Sequence, residues 1–186
     1  MVLKRDHEGA ALPTIDVNGT TIDYDDTGGD GQPVVFVDRT AFEGQVDWFG
    51  RGYRVVAYDH RDSDNDTLYE DAAALIEALS LGPCHFVGND VGGFVALRLV
   101  ARRPELLSSA AIFSSSADEE SVLGELVGTT VPLLVVSGTE NSELSRRVAD
   151  TAANASHVTI KRARPPLVEN RPDVVSVLLE KLFEAV

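Results

Sequence analysis

The stretch Phe86-Val87-Gly88-Asn89-Asp90-Val91-Gly92-Gly93-Phe94 ends an apolar run on a glycine, sets one acidic residue among glycines, and restarts as an apolar segment. A strand, then Gly-x-Asp-x-Gly-Gly, then an amphipathic helix is the order in which a sharp turn pushes one side chain clear of a sheet's carboxyl edge. Glycines at 88, 92 and 93 let the backbone pass where a Cβ would collide. The plainer reading is a simple connection in which Asp90 caps the helix, a contribution of about 1 kcal/mol. The local pattern alone does not separate the two.

Outward from this turn, strands and helices alternate. Ile15 to Tyr24 reads as a hairpin around Asn18-Gly19. The runs Pro33 to Val37 and Arg54 to Tyr58 are apolar throughout, as strands buried on both faces are. Thr67 to Leu81 places Leu68, Ala72, Leu75, Ile76 and Leu79 on one helical face. The spacing then predicts a strand from His85 to Val87, a helix from Gly92 to Arg103, strands from Ala110 to Phe113 and Leu133 to Val136, and a helix from Ser142 to Ala153. A strand from His157 to Ile160 and a helix from Pro172 to Ala185 complete the series. Such alternation implies an α/β fold of three layers, a mostly parallel sheet with helices on both faces and the hairpin at its N-terminal end. The expectation is a single domain over residues 1–186, a length that fills one core.

Charge limits the partners. The net charge is −14, and only Lys4, Lys161 and Lys181 among 16 basic residues are lysines. An acidic, lysine-poor surface repels nucleic acid and anionic lipid, and its self-repulsion is relieved by salt, so the composition reads as adaptation to high salt. No apolar run reaches the roughly 18 residues of a membrane span, and the first residues lack the apolar core of a signal peptide. A cytoplasmic protein with neither nucleic-acid nor membrane partners is expected. Cys84, the single cysteine, excludes an internal disulfide and reads as a core residue.

The order of elements and the segments GQPVVFV (31–37), YRVVAYD (53–59), HFVGNDVGGFVALRLVARRPEL (85–106), VPLLVVSGTEN (131–141) and ENRPDVVSVLLEKL (169–182) together resemble the α/β-hydrolase superfamily over nearly the whole chain. An Asp at the elbow resembles its haloalkane dehalogenase and epoxide hydrolase branch. That resemblance puts Asp90 at the nucleophile position. It gives the backbone N–H groups of Val91 and Thr40 the task of holding an oxyanion, and Asn141 the place of the acid that orients the catalytic His.

The sequence departs from the branch in four places. Asp38 and Arg39 stand where the family's first active-site loop carries His-Gly. Asn141 replaces a carboxylate. Pro165, without a basic atom, falls where the catalytic His is counted. Residues 114–131 hold no lid-length helical segment, so a cap domain is absent. Of the four histidines, His7 lies in the N-terminal tail, while His85 and His157 enter their strands away from the elbow. His60 follows a strand at the correct edge, but that strand lies two from the elbow strand, about 9 to 10 Å away. His60 is therefore a speculative base, and Asp38, Arg39 and Arg61 are candidate substrate or edge residues, with either Arg able to compensate a neighbouring Asp38–Asp90 carboxylate pair.

Other chemistries fit less well. The glycines around Asp90 would aim a carboxylate at a pyrophosphate, which excludes a dinucleotide fingerprint. The acidic loop Asp59, Asp62, Asp64 and Asp66 lacks the glycine and the bidentate glutamate of a calcium loop. Neither cofactor nor metal is expected, and a small molecule at the carboxyl edge is the partner left. An ester on Asp90 with no His to release it would be a dead end. The expectation is a non-catalytic or weakly active binding scaffold with a degenerate triad. The alternative is an active hydrolase (haloalkane dehalogenase, epoxide hydrolase or esterase-like) in which Asp90 works with other partners.

Overall fold

The computed structural model describes residues 12–114, 119–139, 142–162 and 166–186. The elements run β1 (Thr14–Val17), β2 (Thr20–Asp26), β3 (Pro33–Val37), α1 (Glu43–Phe49), β4 (Arg54–Tyr58), α2 (Asn65–Ala78), β5 (Cys84–Asn89), α3 (Val91–Arg102), β6 (Leu107–Phe113), α4 (Glu119–Val122), β7 (Leu133–Ser137), α5 (Ser142–Thr151), β8 (Ala155–Thr159), α6 (Leu167–Asn170) and α7 (Pro172–Glu184). They form one sheet in the order β1-β2-β4-β3-β5-β6-β7-β8. The pairs β1/β2 and β2/β4 are antiparallel and every other pair is parallel.

The apolar runs do what their composition requires. Val34 to Val37, Val55 to Tyr58 and Ala110 to Phe113 are buried on both faces, since helices cover the sheet on each side. Leu68 and Leu75 of α2, Val95 and Leu99 of α3 and Val148 of α5 fill one side. Val46 and Phe49 of α1, Leu167 of α6 and Val175, Leu179 and Phe183 of α7 fill the other. Each such side chain removed from water contributes about 1.5–3 kcal/mol. Phe49, Tyr53, His85 and Phe183 stack into one aromatic cluster beneath the sheet's amino edge, with His85 4.3 Å from Phe183.

The strands and long helices fall where the periodicity places them, with no end shifted by more than three residues. The short helices α1, α4 and α6 were not legible. Between β6 and β7, where a cap domain would be inserted, residues 114–132 hold only α4 and the 3₁₀ turn Leu123–Glu125 among the described residues. Among the described residues the fold is an α/β core with no cap domain. Among the described residues no helix is long and apolar enough to cross a membrane.

Candidate active site

The turn between β5 and α3 is tightly constrained. Asp90 has φ 50° and ψ −112°, a backbone that side chains other than glycine adopt only at a cost of about 1–3 kcal/mol. Its N–H bonds Phe113 O of the adjacent strand at 2.9 Å, which holds the strained residue in place. A Cβ on Gly88 would lie 2.0 Å from Gly92 O, so β5 and α3 can approach this closely only through glycine. Gly92 in turn packs on the end of β3, where a Cβ would meet the Val37 side chain at 3.0 Å and its carbonyl oxygen at 3.1 Å.

Asp90 occupies the position before the first turn of α3, yet its side chain makes no capping hydrogen bond. The capping reading of this residue is therefore excluded. The carboxylate is exposed at the carboxyl edge of the sheet. The bonds of α3 begin at Gly93 and Phe94, whose N–H groups both donate to Asp90 O at 3.0 and 3.3 Å. The N–H groups of Val91 and Gly92 thus precede the helix's own ladder, at the positive end of its dipole.

The contact of Val37 with Gly92 brings the next residue, Asp38, beside the elbow. Asp38 also has a positive φ, 73°, and its carbonyl accepts from Phe42 N at 3.2 Å, closing the turn that contains Thr40. Partial burial pushes the Asp38 carboxyl above its ordinary value; His60 opposes the rise, while the negative charges of Asp59 and Asp90 add to it. The Asp38 carboxyl thus lies within the field of the Asp90 charge.

The side chain facing Asp38 is His60. Parallel pairing sets Val37 against Tyr58, so the residues following β3 and β4 emerge side by side. His60 Nε2 lies 3.8 Å from Asp38 Oδ1, and His60 Nδ1 lies 3.1 Å from the Arg61 carbonyl. Both arginines are engaged elsewhere. Arg39 pairs with Asp59 at 3.2 Å and Asp25 at 3.8 Å, and its N–H donates to Asp59 Oδ1 at 2.9 Å. Arg61 pairs with the buried Asp71 at 2.7 Å.

The described histidines His85 and His157 make their contacts elsewhere. Buried His85 holds Ser109 Oγ at 2.8 Å, and desolvation lowers its pKa to about 4. His157 Nε2 is 2.9 Å from Ser137 Oγ, with burial the main cause of its lowered pKa. His7, Asn141 and Pro165 lie outside the described residues. The acidic loop is spent on structure: Asp59 pairs with Arg39, Asp64 caps α2 through Thr67 N at 3.0 Å, and Asp66 faces Arg102 at 3.3 Å. Cys84 is free and buried, its thiol pushed up to about 12.

Residues 39–135 match the family described as alpha/beta hydrolase fold. The chain is 38% identical over 108 residues to "Putative non-heme bromoperoxidase BpoC" of Mycobacterium tuberculosis (strain CDC 1551 / Oshkosh), a match covering 50% of this chain and 41% of that protein. It is 23% identical over 107 residues to "Putative carbamate hydrolase RutD" of Agrobacterium fabrum, covering 52% of this chain and 41% of the relative. The chain thus spans less than half the length of these curated relatives. In structure it resembles the enol-lactonase from Burkholderia xenovorans LB400 with a TM-score of 0.81 at 18% identity, covering 92% of this chain and 100% of the other. At that identity the likeness is one of fold.

Proposed function

Because the chain belongs to the alpha/beta hydrolase fold family, we propose that it is a hydrolase of small esters or related acyl compounds in which the Asp90 carboxylate is the reacting base and Asp38 and His60 handle the proton. The observation that carries this reading is the state of Asp90, which is held in a strained backbone, exposed, and relieved of any capping duty. Strain of this kind persists only where surrounding structure enforces it, and it concentrates at working residues.

Two carboxyl groups in unlike surroundings divide acid from base work. Asp90 stands in solvent, while Asp38 is partly buried and holds its proton above the ordinary carboxyl value. In the proposed reaction Asp90 takes a proton from water as the water oxygen attacks the acyl carbon. The Val91 and Thr40 N–H groups are the donors for the oxyanion that forms. As the carbon–oxygen bond to the leaving group breaks, Asp38 gives that oxygen its proton. Asp90 then releases its proton to solvent, and His60 Nε2 takes one up from solvent and passes it to Asp38, so that the ring ends as it began. Ester and water give acid and alcohol, with both carboxyl groups restored.

Direct attack by Asp90 on carbon suits the site less well. The resulting ester would need a base facing Asp90, and His60 faces Asp38. The relatives' names, which include a carbamate hydrolase, support acyl chemistry. The test is a panel of activated esters, carbamates, epoxides and haloalkanes assayed in molar KCl, with single turnovers run in heavy-oxygen water. Ester turnover that leaves the Asp90 peptide unlabelled supports general-base attack. Label on Asp90 replaces it with the nucleophile route, and background rates throughout return the scaffold reading.

A further inference from the structure

Asp71 is a buried carboxylate that the proposed reaction does not use, only 3% exposed on α2. Such a charge is costly away from water unless fully paired, and both of its oxygens are occupied. Arg61 Nε donates to Oδ2 at 2.7 Å and Arg61 NH2 to Oδ1 at 3.1 Å, a two-bond fork that fixes distance and plane together. Asn18 Nδ2 donates to Oδ1 at 3.1 Å from the tip of the β1–β2 hairpin. That tip is itself stiff, since Asn18 and Gly19 take consecutive positive φ values of 47° and 74°.

Arg61 is therefore held at its side chain while its carbonyl faces the His60 ring. A carbonyl oxygen only accepts, so the 3.1 Å contact requires His60 Nδ1 to carry the hydrogen. Nε2 is then the nitrogen that exchanges a proton, and it is the one turned toward Asp38 at 3.8 Å.

We propose that Asn18, Asp71 and Arg61 form a positioning clamp that sets the tautomer and aim of His60, so that the N-terminal hairpin takes part in arranging the site. The role assigned to His60 rests on the hydrolase reading; the tautomer itself does not. Deleting any clamp member loosens the loop from Asp59 to Asp64 without touching a reacting atom.

The test is imaging of the two ring nitrogens by imidazole nitrogen NMR, with His60 assigned by its loss in His60→Gln. The intact protein is expected to show the Nδ1–H form. In Arg61→Gln and Asp71→Asn the ratio of tautomers should move toward that of a free histidine by about tenfold, the scale of one net hydrogen bond. Asn18→Gly keeps the turn's positive φ, deletes the amide and should move the ratio the same way by less, which preserves the test if the buried variants fail to fold. A proton on Nε2 in the intact protein, or an unchanged ratio in folded variants, overturns the clamp. Either result can occur with ester turnover present, and absent turnover with a shifted ratio would instead remove the hydrolase reading alone.

Discussion

His60 Nε2 lies 3.8 Å from Asp38 Oδ1, and Asp38 carries the added field of Asp90. An imidazole two strands away from the elbow thereby reaches it through the carboxyl group on the strand between. The elbow residue, the intervening carboxyl and the ring sit at the ends of β5, β3 and β4, three neighbours in the sheet.

Asp38 gives this cluster a pH signature. Its pKa is raised in the fold from the ordinary 3.8, so its contribution to stability is full below that value and is lost as pH rises through the raised one. Asp38→Asn, which also suits a positive φ, should melt higher than the parent near neutral pH, with the advantage shrinking as pH falls through the carboxylate range. Thermal midpoints across that range check it; a difference independent of pH would remove the titration and leave only the backbone effect.

His85 supplies a second signature, of opposite sign. Its pKa falls from 6.5 to about 4 because it is buried against Phe183, so stability is whole above 6.5 and drains as pH falls toward 4. The full loss is about 3 kcal/mol. His85→Phe keeps a ring in the stack and should flatten this acid limb; equal acid limbs in the two proteins would contradict the assignment.

Gly88→Ala tests the elbow as a structure. The added carbon would lie 2.0 Å from Gly92 O, a backbone atom that cannot swing aside. A destabilisation above about 4 kcal/mol, or failure to fold, is expected in denaturant unfolding. A variant near the parent's stability would mean that β5 and α3 do not approach this closely.

Salt tests the acidic surface, through the net charge of −14. The thermal midpoint should climb between low salt and molar KCl, where the screening length falls to about 3 Å. A flat response would remove the high-salt reading.

The fold was legible because its signals are local. Buried strands read as apolar runs, and the elbow announces itself through glycines at a fixed spacing around Asp90. Helix α1 gave little to read: it spans Glu43–Phe49 and follows Phe42, which makes no side-chain cap. The site was legible only in its members. Asp38, Asp90, Arg39, Arg61 and His60 were each named, but their pairing depends on what distant elements supply. Asp25 of β2 and Asp59 take Arg39, and Asp71 of α2 takes Arg61, leaving the His60 ring as the group that faces Asp38. Counting strands measured the gap from His60 to Asp90 and passed over Asp38, which fills it.

The most direct measurement is kcat/KM for an activated ester in molar KCl, with the parent compared against Asp90→Asn, a substitution that keeps the side chain's shape and tolerates the elbow's positive φ. Loss of the general base is expected to lower kcat/KM by about 10²- to 10⁴-fold. Equal rates in the two proteins, whether at background or above it, would contradict a reacting Asp90 and leave the strained elbow as an inherited feature of the fold.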